Sequence, residues 1–188
     1  EGVEDEEEIL RSLKLDIDLF QGFWFARPSG GVYENTLLND KIAYIGAKHT
    51  HNVRASMQHK EFLIESAKAY THTIIEAIKT THKTDLFDFL REFDIIEAIY
   101  CIDANTGIQE GDTFISTDTN EFFQPARHGD NHALKEYFYI TKESKRGNYL
   151  SQKYISRASG RMCRTFAQKF TLEGCEKILC LDLKVQTL

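Results

Sequence analysis

The sequence predicts an α+β fold in which about five antiparallel strands form one sheet behind a long helix. Apolar residues recur at helical spacing between about His51 and Thr81, and a β-branched and aromatic segment, Ile95–Ile102, follows as a strand. Three more strand-like segments close the chain. The 188 residues, 41% of them hydrophobic, are enough for one ordinary domain or for one domain plus a fragment.

The first 28 residues predict a helix followed by a strand. Ile9 and Leu13 recur at helical spacing behind the acidic run Glu4–Glu8, whose charges favour a helix N-terminus. The continuous apolar residues between Leu19 and Phe25 predict a strand covered on both faces. Pro28 and the Ser-Gly-Gly after it indicate a domain boundary. The predicted division is therefore 1–28, a linker at 29–50, and a main domain at 51–188.

The long helix carries a heptad-like seam. Its members alternate four and three residues apart: Leu63, Ala67, Tyr70, Ile74 and Ala77. Because this seam is only about two heptads long, packing on its own domain and packing in a coiled coil are both consistent with it.

The second half of the chain predicts the sheet. Thr84 is the expected cap of a short helix that ends at Phe93. Asp103–Gly107 opens like a calcium loop but lacks the later ligands, so we expect a hairpin turn in which Asn105 and Gly107 take the special backbone angles. We expect a helix over His132–Glu143. The expected closing strands are Tyr149–Ser156, Met162–Phe170 and Lys177–Val185.

The composition excludes several classes of protein. The net charge is −6, and no basic run is interleaved with aromatic residues, so we expect no nucleic-acid partner. No apolar run approaches the ~18 residues of a membrane span, so we expect no membrane partner. The four cysteines lie in strand-like segments, which suits reduced, buried thiols. A zinc site from Cys175, Cys180, His128 and His132 is disfavoured, because their spacing fits no tetrahedral pattern.

The N-terminal segment resembles the last barrel segments of EAL-type cyclic-di-GMP phosphodiesterases. The resemblance lies in the blocks Glu1–Glu4 and Gln21–Pro28 and in the 20-residue step between them. It implies a parent enzyme that hydrolyses one phosphodiester bond with two Mg²⁺ or Mn²⁺ ions. In that family the position of Glu1 serves the metal-bound water or the metal site, and Gln21 lies at the mouth of the active site.

The same resemblance implies that this chain is not a competent enzyme. A complete barrel takes about 250 residues, so the segment is a helix–strand remnant of a TIM-type barrel, with the other metal ligands expected upstream of Glu1. We therefore expect no phosphodiesterase activity and no cofactor for this chain. Mg²⁺ or Mn²⁺ is implied only for the parent EAL domain, which becomes the expected partner in cis.

Residues of about 50–188 resemble a Cache (PDC) sensor domain, a PAS-like fold, in the version found behind EAL domains. The matching blocks include Glu97–Gly107, Lys135–Tyr139, Tyr149–Ser156 and Ile178–Asp182. The resemblance implies a small-molecule pocket between the sheet and a covering helix. Its expected ligand-binding residues are Lys135, Tyr137, Tyr149, Tyr154, Thr165 and Asp182.

The spacing of the tyrosines indicates which of them can line the pocket. Tyr137 and Tyr139 point about 200° apart on a helix, and we favour Tyr137 for the pocket. Tyr149 and Tyr154 are an odd number of residues apart, so a regular strand places only one of them inward. No Arg-x-Trp precedes the strands, and Lys135-Glu-Tyr137 stands in its place, which departs from the amino-acid-binding pattern.

Two functional hypotheses follow. The first is a cytoplasmic regulatory domain of a bacterial homodimer, which binds a small ligand or a partner and modulates the EAL phosphodiesterase before it. The second is a structural dimerisation module with no ligand. An independent enzyme in residues 50–188 is disfavoured, because the sequence shows no nucleophile–base pair, phosphate loop or metal constellation.

Overall fold

The computed structural model describes residues 1–28, 30–31, 35–80, 85–116 and 122–185. Four helices and six strands follow one another in the order α1 Glu6–Leu13, α2 Asn35–Thr80, α3 Leu86–Glu92, β1 Ile96–Asp103, β2 Gln109–Ile115, α4 Glu136–Glu143, β3 Asn148–Leu150, β4 Tyr154–Ile155, β5 Met162–Leu172 and β6 Cys175–Lys184. The chain divides into two compact units, residues 1–62 and 63–188, and α2 contributes to both.

The N-terminal unit has a small apolar core of its own. Asp5 caps α1 by accepting a hydrogen bond from the backbone of Glu8 at 2.9 Å, which satisfies one free N–H of the first turn. Val3, Ile9 and Ile45 are buried together, with the rings of Phe20, Trp24 and Phe25 packed against them.

The predicted strand between Leu19 and Phe25 is wrong. The backbone N–H of Trp24 bonds to the Val3 carbonyl at 3.1 Å, and that of Phe25 bonds to the Gly22 carbonyl at 3.1 Å, which makes a turn. The turn places Trp24 and Phe25, neighbours in sequence, on the same apolar core, whereas Leu19 is 87% exposed. A continuous apolar run therefore marks a hydrophobic turn here, and the expected helix–strand pair reduces to a helix.

Helix α2 begins at Asn35, well before the predicted start near His51. The part before His51 was assigned to a linker, but Ile45 is buried there against α1. In the sheet unit, Leu63, Ala67, Tyr70 and Ile74 pack on the sheet, so the seam of α2 packs on its own domain.

The sheet is antiparallel throughout, with strand order β2-β1-β6-β5-β3. The short strand β4 pairs with the first two residues of β5. Its first face packs on α2 and α3 through a core that contains Ile74, Ile99, Phe166 and Leu181. Its second face packs on α4 through Tyr100, Ile102, Phe138, Ile178 and Cys180. Because both faces are covered, residues 96–102 of β1 and 178–183 of β6 are buried almost without interruption, as the apolar runs within them predict.

Three predicted strands are confirmed with small changes of boundary: β1, β5 and β6. The sheet has six strands rather than about five, because the predicted strand Tyr149–Ser156 is interrupted. Residues 151–153 leave the strand where the Ser151 hydroxyl takes the backbone N–H of Thr165 at 2.8 Å. The edge strand β2 was missed, since Gly111 and its exposed polar neighbours hide its pattern.

Smaller corrections concern caps and turns. Thr84 lies outside the described residues, and Asp85 caps α3 through the backbone N–H of Phe87 at 2.9 Å. Helix α4 begins at Glu136 rather than His132, because residues 132–135 form a turn. In the turn after β1, Gly107 has the expected positive φ of 78°, but Asn105 has no positive φ.

Among the described residues, no helix combines the length and the apolar character needed to cross a membrane.

Candidate ligand-binding cavity

The second face of the sheet carries a cavity of about 410 Å³. Its floor comes from the strands and includes Tyr100 and Asp182. One wall comes from the turn before α4 and from α4 itself, and the opposite wall comes from residues 151–158. The lining residues are Tyr100, Thr113, Ala126, Asp130, Asn131, His132, Lys135, Glu136, Tyr137, Ser151, Gln152, Lys153, Tyr154, Ser156, Arg157, Ala158 and Asp182.

Asp182 is the centre of a hydroxyl network on the floor. Its Oδ1 accepts hydrogen bonds from Thr165 Oγ1 at 2.8 Å, from Tyr154 OH at 3.3 Å and from Tyr100 OH at 3.3 Å. The hydroxyls of Tyr154 and Thr165 are also 2.6 Å apart. All three donors reach one oxygen, and Oδ2 makes no hydrogen bond within the described part of the chain.

Burial dominates the electrostatics of this network. Asp182 is 6% exposed, and burial raises the pKa of its carboxyl to about 6, against the opposing effect of the Thr165 hydrogen bond. Burial, followed by the charge of Asp182, also raises the pKa of Tyr100 and of Tyr154. Both tyrosines are therefore neutral donors, and the only group of this network that ionises near neutral pH is Asp182.

A second buried chain of hydrogen bonds forms the wall. His132 Nε2 lies 2.9 Å from Gln109 Oε1, and His132 Nδ1 lies 2.7 Å from Tyr137 OH. Gln109 Nε2 faces the carbonyls of Gly111 and Ala126, so the amide oxygen is the group turned to the histidine. His132 consequently carries its proton on Nε2 and accepts the Tyr137 hydroxyl on Nδ1.

This assignment agrees with the electrostatics of the ring. Burial lowers the pKa of His132, which favours the neutral form. The ring also stacks on Tyr100, with centroids 5.5 Å apart. The wall is thus pre-organised by buried partners.

The rim carries charged side chains of both signs. Lys135, Lys153 and Arg157 are exposed, and none of them makes an ion pair within the described ranges. The acidic residues already have partners: Glu136 accepts the Tyr149 hydroxyl at 2.6 Å, and Asp130 accepts the backbone N–H of Arg127 at 3.2 Å. The rim therefore presents three basic side chains against two acidic ones, a small excess of positive charge.

The structure brings most of the predicted ligand-binding residues together. Lys135, Tyr137, Tyr154 and Asp182 line the cavity, and Thr165 lies directly beneath it in the Asp182 network. Tyr149 does not line it and contacts Glu136 instead.

The helical and strand spacing arguments had different outcomes. Tyr137 is 8% exposed and lines the cavity, whereas Tyr139 is 48% exposed. Tyr149 and Tyr154 lie opposite Ala167 and Cys163, two positions of β5 that share a face. The break at 151–153 resets the alternation, so the two tyrosines lie on one face of the sheet rather than on opposite faces, although only Tyr154 lines the cavity.

Tyr100, His132 and Gln109 are not among the residues predicted from the sequence to bind a ligand. The sequence pattern indicates only a strand at Tyr100 and the start of a helix at His132. A usable signal was present: polar or amphipathic residues inside or next to apolar strands require buried partners.

The two residues assigned to an EAL remnant lie in the N-terminal unit. Glu1 lines a shallow concavity with Glu8 and Arg11, whereas Gln21 does not line it, and the Gln21 carbonyl accepts the backbone N–H of Val3 at 3.0 Å. Nowhere in the described ranges do three or more histidine, cysteine or acidic side chains cluster as a metal site would require.

No protein-family profile matches the chain. No curated protein matches it either. The comparison with solved structures does find likenesses, at low sequence identity.

The chain resembles the Bacillus subtilis YkuI protein, described as having an EAL domain and as bound to its substrate c-di-GMP and calcium. The TM-score is 0.75 at 18% identity, and the match covers 99% of this chain and 48% of YkuI. The chain therefore shares its fold with YkuI and spans about half of its length. At this identity, the likeness concerns fold alone.

Weaker likenesses involve the ligand-binding domain of the Pseudomonas fluorescens chemoreceptor CtaA. The complex with L-alanine gives a TM-score of 0.41 and the complex with L-serine 0.42, both at 18% identity. These matches cover 78% and 80% of this chain, and 60% and 61% of the receptor domain.

Proposed function

We propose that the chain is the regulatory part of a bacterial cyclic-di-GMP signalling protein, in which the sheet unit senses a small ligand and modulates an EAL phosphodiesterase before it. The observation that carries the sensing role is the cavity above the Asp182 network. Support for the EAL connection comes from the fold shared with YkuI and from the blocks Glu1–Glu4 and Gln21–Pro28. The sensor then works in the cytoplasm, where the barrel meets its substrate.

The cavity chemistry defines what the ligand must offer. Asp182 has an oxygen, Oδ2, without a hydrogen bond in the described structure, so the ligand presents a hydrogen-bond donor at the floor. The basic side chains of the rim, which make no ion pair within the described part of the chain, favour an acidic group at the end of the ligand that lies at the rim. A volume of about 410 Å³ lies within the range of small-molecule sites.

A thermal-shift screen with nucleotides, amino acids and small carboxylates tests the sensing role. A true ligand raises Tm progressively with its concentration, because only the folded state binds it. Asp182→Asn should abolish the shift, while Asp94→Asn, a change at an exposed carboxylate, should leave it intact. A flat screen, or an equal shift in both variants, contradicts the proposal for this cavity.

The chain by itself is proposed to lack phosphodiesterase activity. Support comes from the absence of a metal-ligating cluster in the described residues, where Glu1 and Gln21 are the only positions assigned to an EAL site. Incubation of the purified chain with cyclic di-GMP and Mn²⁺ measures this. Turnover above a metal-only blank rules the proposal out.

A second candidate function is a ligand-free dimerisation module. Ile42, Val53 and Met57 share one face of α2, and they are 52%, 40% and 58% exposed. Such a stripe fits a helix that packs on a second copy. Light scattering after size exclusion tests it: Met57→Lys should convert a dimer to a monomer. Gln58→Lys, at an exposed position on the other side of the helix, should not. A monomeric wild type excludes this candidate.

A further inference from the structure

The segment that covers the cavity is anchored to the sheet by an unusual buried carboxylate. Glu97 lies on β1 at the point where the pairing of β1 with β6 shifts register between Ile96 and Ala98. A bulge of this kind redirects a side chain. Glu97 is fully buried, and its Oε1 accepts a short hydrogen bond from the Ser159 hydroxyl.

The other oxygen of this carboxylate has no partner. Glu97 Oε2 is buried and makes no hydrogen bond to the described residues. Burying such an atom is unfavourable, because the water that it leaves is not replaced. Within the described residues the Ser159 hydroxyl donates to the other oxygen, Oε1, and any opening that admits water to Oε2 relieves the unfavourable burial.

Ser159 belongs to the cover segment, defined here as residues 151–161. This segment supplies Tyr154, Ser156 and Arg157 to the cavity wall. Its first residue is fixed to β5, where Ser151 N–H bonds to the Thr165 carbonyl at 2.9 Å. Its far end is a tight loop, closed by the Ser156 N–H to the Arg161 carbonyl at 2.8 Å. Between these points, Tyr154 and Ile155 pair with Cys163 and Met162 of β5. The Ser159 hydroxyl adds a tie from the loop to β1.

We propose that the cover segment is a lid over the cavity and that the Ser159–Glu97 hydrogen bond is its latch. Glu97 is then a positioning residue, which acts on the cavity through the loop that it holds. Opening hydrates Oε2 and so offsets part of the loss of the Ser159 bond. A ligand that contacts Tyr154 or Arg157 then shifts the balance towards the closed state.

Cys163 provides a reporter of lid opening within the natural sequence. Its thiol is fully buried opposite Tyr154 on the face of β5 below the cover segment. Burial, followed by the charge of Asp182, raises the pKa of this thiol to about 12. Opening of the lid exposes the thiol and makes it reactive. Cys180 is also fully buried, but it lies in the centre of the sheet and reports global unfolding.

The test is labelling of the whole chain with N-ethylmaleimide, with the cysteines resolved by peptide mass spectrometry. Ser159→Ala leaves the Glu97 carboxylate without a donor, and labelling of Cys163 should accelerate about tenfold or more while Cys180 is unaffected. Ser144→Ala is the matched control. The Ser144 hydroxyl accepts the backbone N–H of Arg146 at 3.2 Å, as the Ser159 hydroxyl accepts that of Arg161 at 3.1 Å, but Ser144 does not bond to a carboxylate among the described residues.

A double variant separates the latch from a simple packing defect. In Glu97→Met with Ser159→Ala, both partners are removed together with the unpartnered oxygen, so Cys163 labelling should return to the wild-type rate or below it. An unchanged Cys163 rate in Ser159→Ala overturns the latch. So does a parallel rise at Cys180, or a double variant as fast as the single one. The inference rests on the proposed function of the cavity, but this experiment needs no ligand, and the two therefore fail separately.

Discussion

Replacing Asp182 by asparagine should remove a pH dependence of stability that is specific to this residue. The carboxyl has a pKa of about 6 in the folded chain and 3.8 in the reference state. Between those values the folded state keeps a proton that the unfolded state has released. The unfolded state then binds fewer protons, so the free energy of unfolding decreases as the pH rises through this window.

The magnitude follows from the same two values. One pKa unit corresponds to about 1.4 kcal/mol, so the rise from 3.8 to about 6 corresponds to a loss of about 3 kcal/mol that is complete above the folded pKa. Asparagine cannot ionise, and its side-chain oxygen can still accept the hydroxyls of Thr165, Tyr154 and Tyr100. Between about pH 4 and about pH 7.5, the free energy of unfolding of the variant should therefore increase by about 2.4 kcal/mol relative to that of the wild type, because part of the loss already occurs below pH 4.

Urea unfolding of both proteins at the two pH values measures the change, because titrations shared by both chains cancel in the comparison. The signal has to come from the sheet, by circular dichroism or hydrogen exchange, since Trp24 is the only tryptophan and lies in the other unit. Asp103→Asn is a control of opposite sign. Hydrogen bonds from Thr106 lower the pKa of Asp103, so its stabilisation is lost as the pH falls below 3.8. A difference between wild type and Asp182→Asn that stays constant with pH refutes the reasoning.

Three further predictions concern stability, each measured by chemical denaturation at neutral pH. Phe166→Ala, at the fully buried centre of the sheet, should cost about 3–5 kcal/mol, and Ile155→Ala, at an exposed position of β4, should cost no more than about 0.5 kcal/mol; similar values would contradict the described core. Gly107 and Gly111 share a φ of 78°, but only at Gly107 would a Cβ meet the backbone of Ala133, so Gly107→Ala should cost at least about 1 kcal/mol more than Gly111→Ala. His132→Phe leaves the Tyr137 hydroxyl and the Gln109 amide oxygen without this partner and should cost about 2–4 kcal/mol. Because burial lowers the pKa of His132, the wild type should also lose stability relative to this variant as the pH falls below 6.5.

The sequence was informative where burial dictates the pattern. Residues 98–102 of β1 and 178–181 of β6 are covered on both faces and are apolar without interruption, and such a run is visible without any structure. Asp182 stood out for the same reason, as a carboxylate inside an apolar strand. The seam of α2 likewise marked the face that packs on the sheet.

The sequence failed where a local turn or a distant partner decides the structure. The run between Leu19 and Phe25 is apolar because its rings pack on α1, and a turn serves that purpose as well as a strand does. The interruption after Leu150 depends on the Ser151 hydroxyl, which accepts the backbone N–H of Thr165 on β5 in place of a backbone carbonyl. Neither arrangement leaves a periodic signal in the chain itself.

The cavity wall was unpredictable for a related reason. His132 is held in the cavity wall in part by Gln109, 23 residues earlier, whose amide oxygen accepts a hydrogen bond from the ring. The latch residue Glu97 and its partner Ser159 are 62 residues apart. Contacts across such separations are set by the order of strands in the sheet, which local residue patterns do not encode.

The short strands beside β5 have a consequence for self-association. Strand β5 runs over 11 residues, yet β3 covers only three of them and β4 two, with the Ser151 side chain filling part of the gap. Short, interrupted edge strands give a foreign strand little backbone to pair with. In the open state proposed above, Met162 and Cys163 lose these β4 partners, so the backbone at the start of β5 becomes available to a strand of another chain. Opening of the proposed lid and self-association through strand pairing would then be coupled.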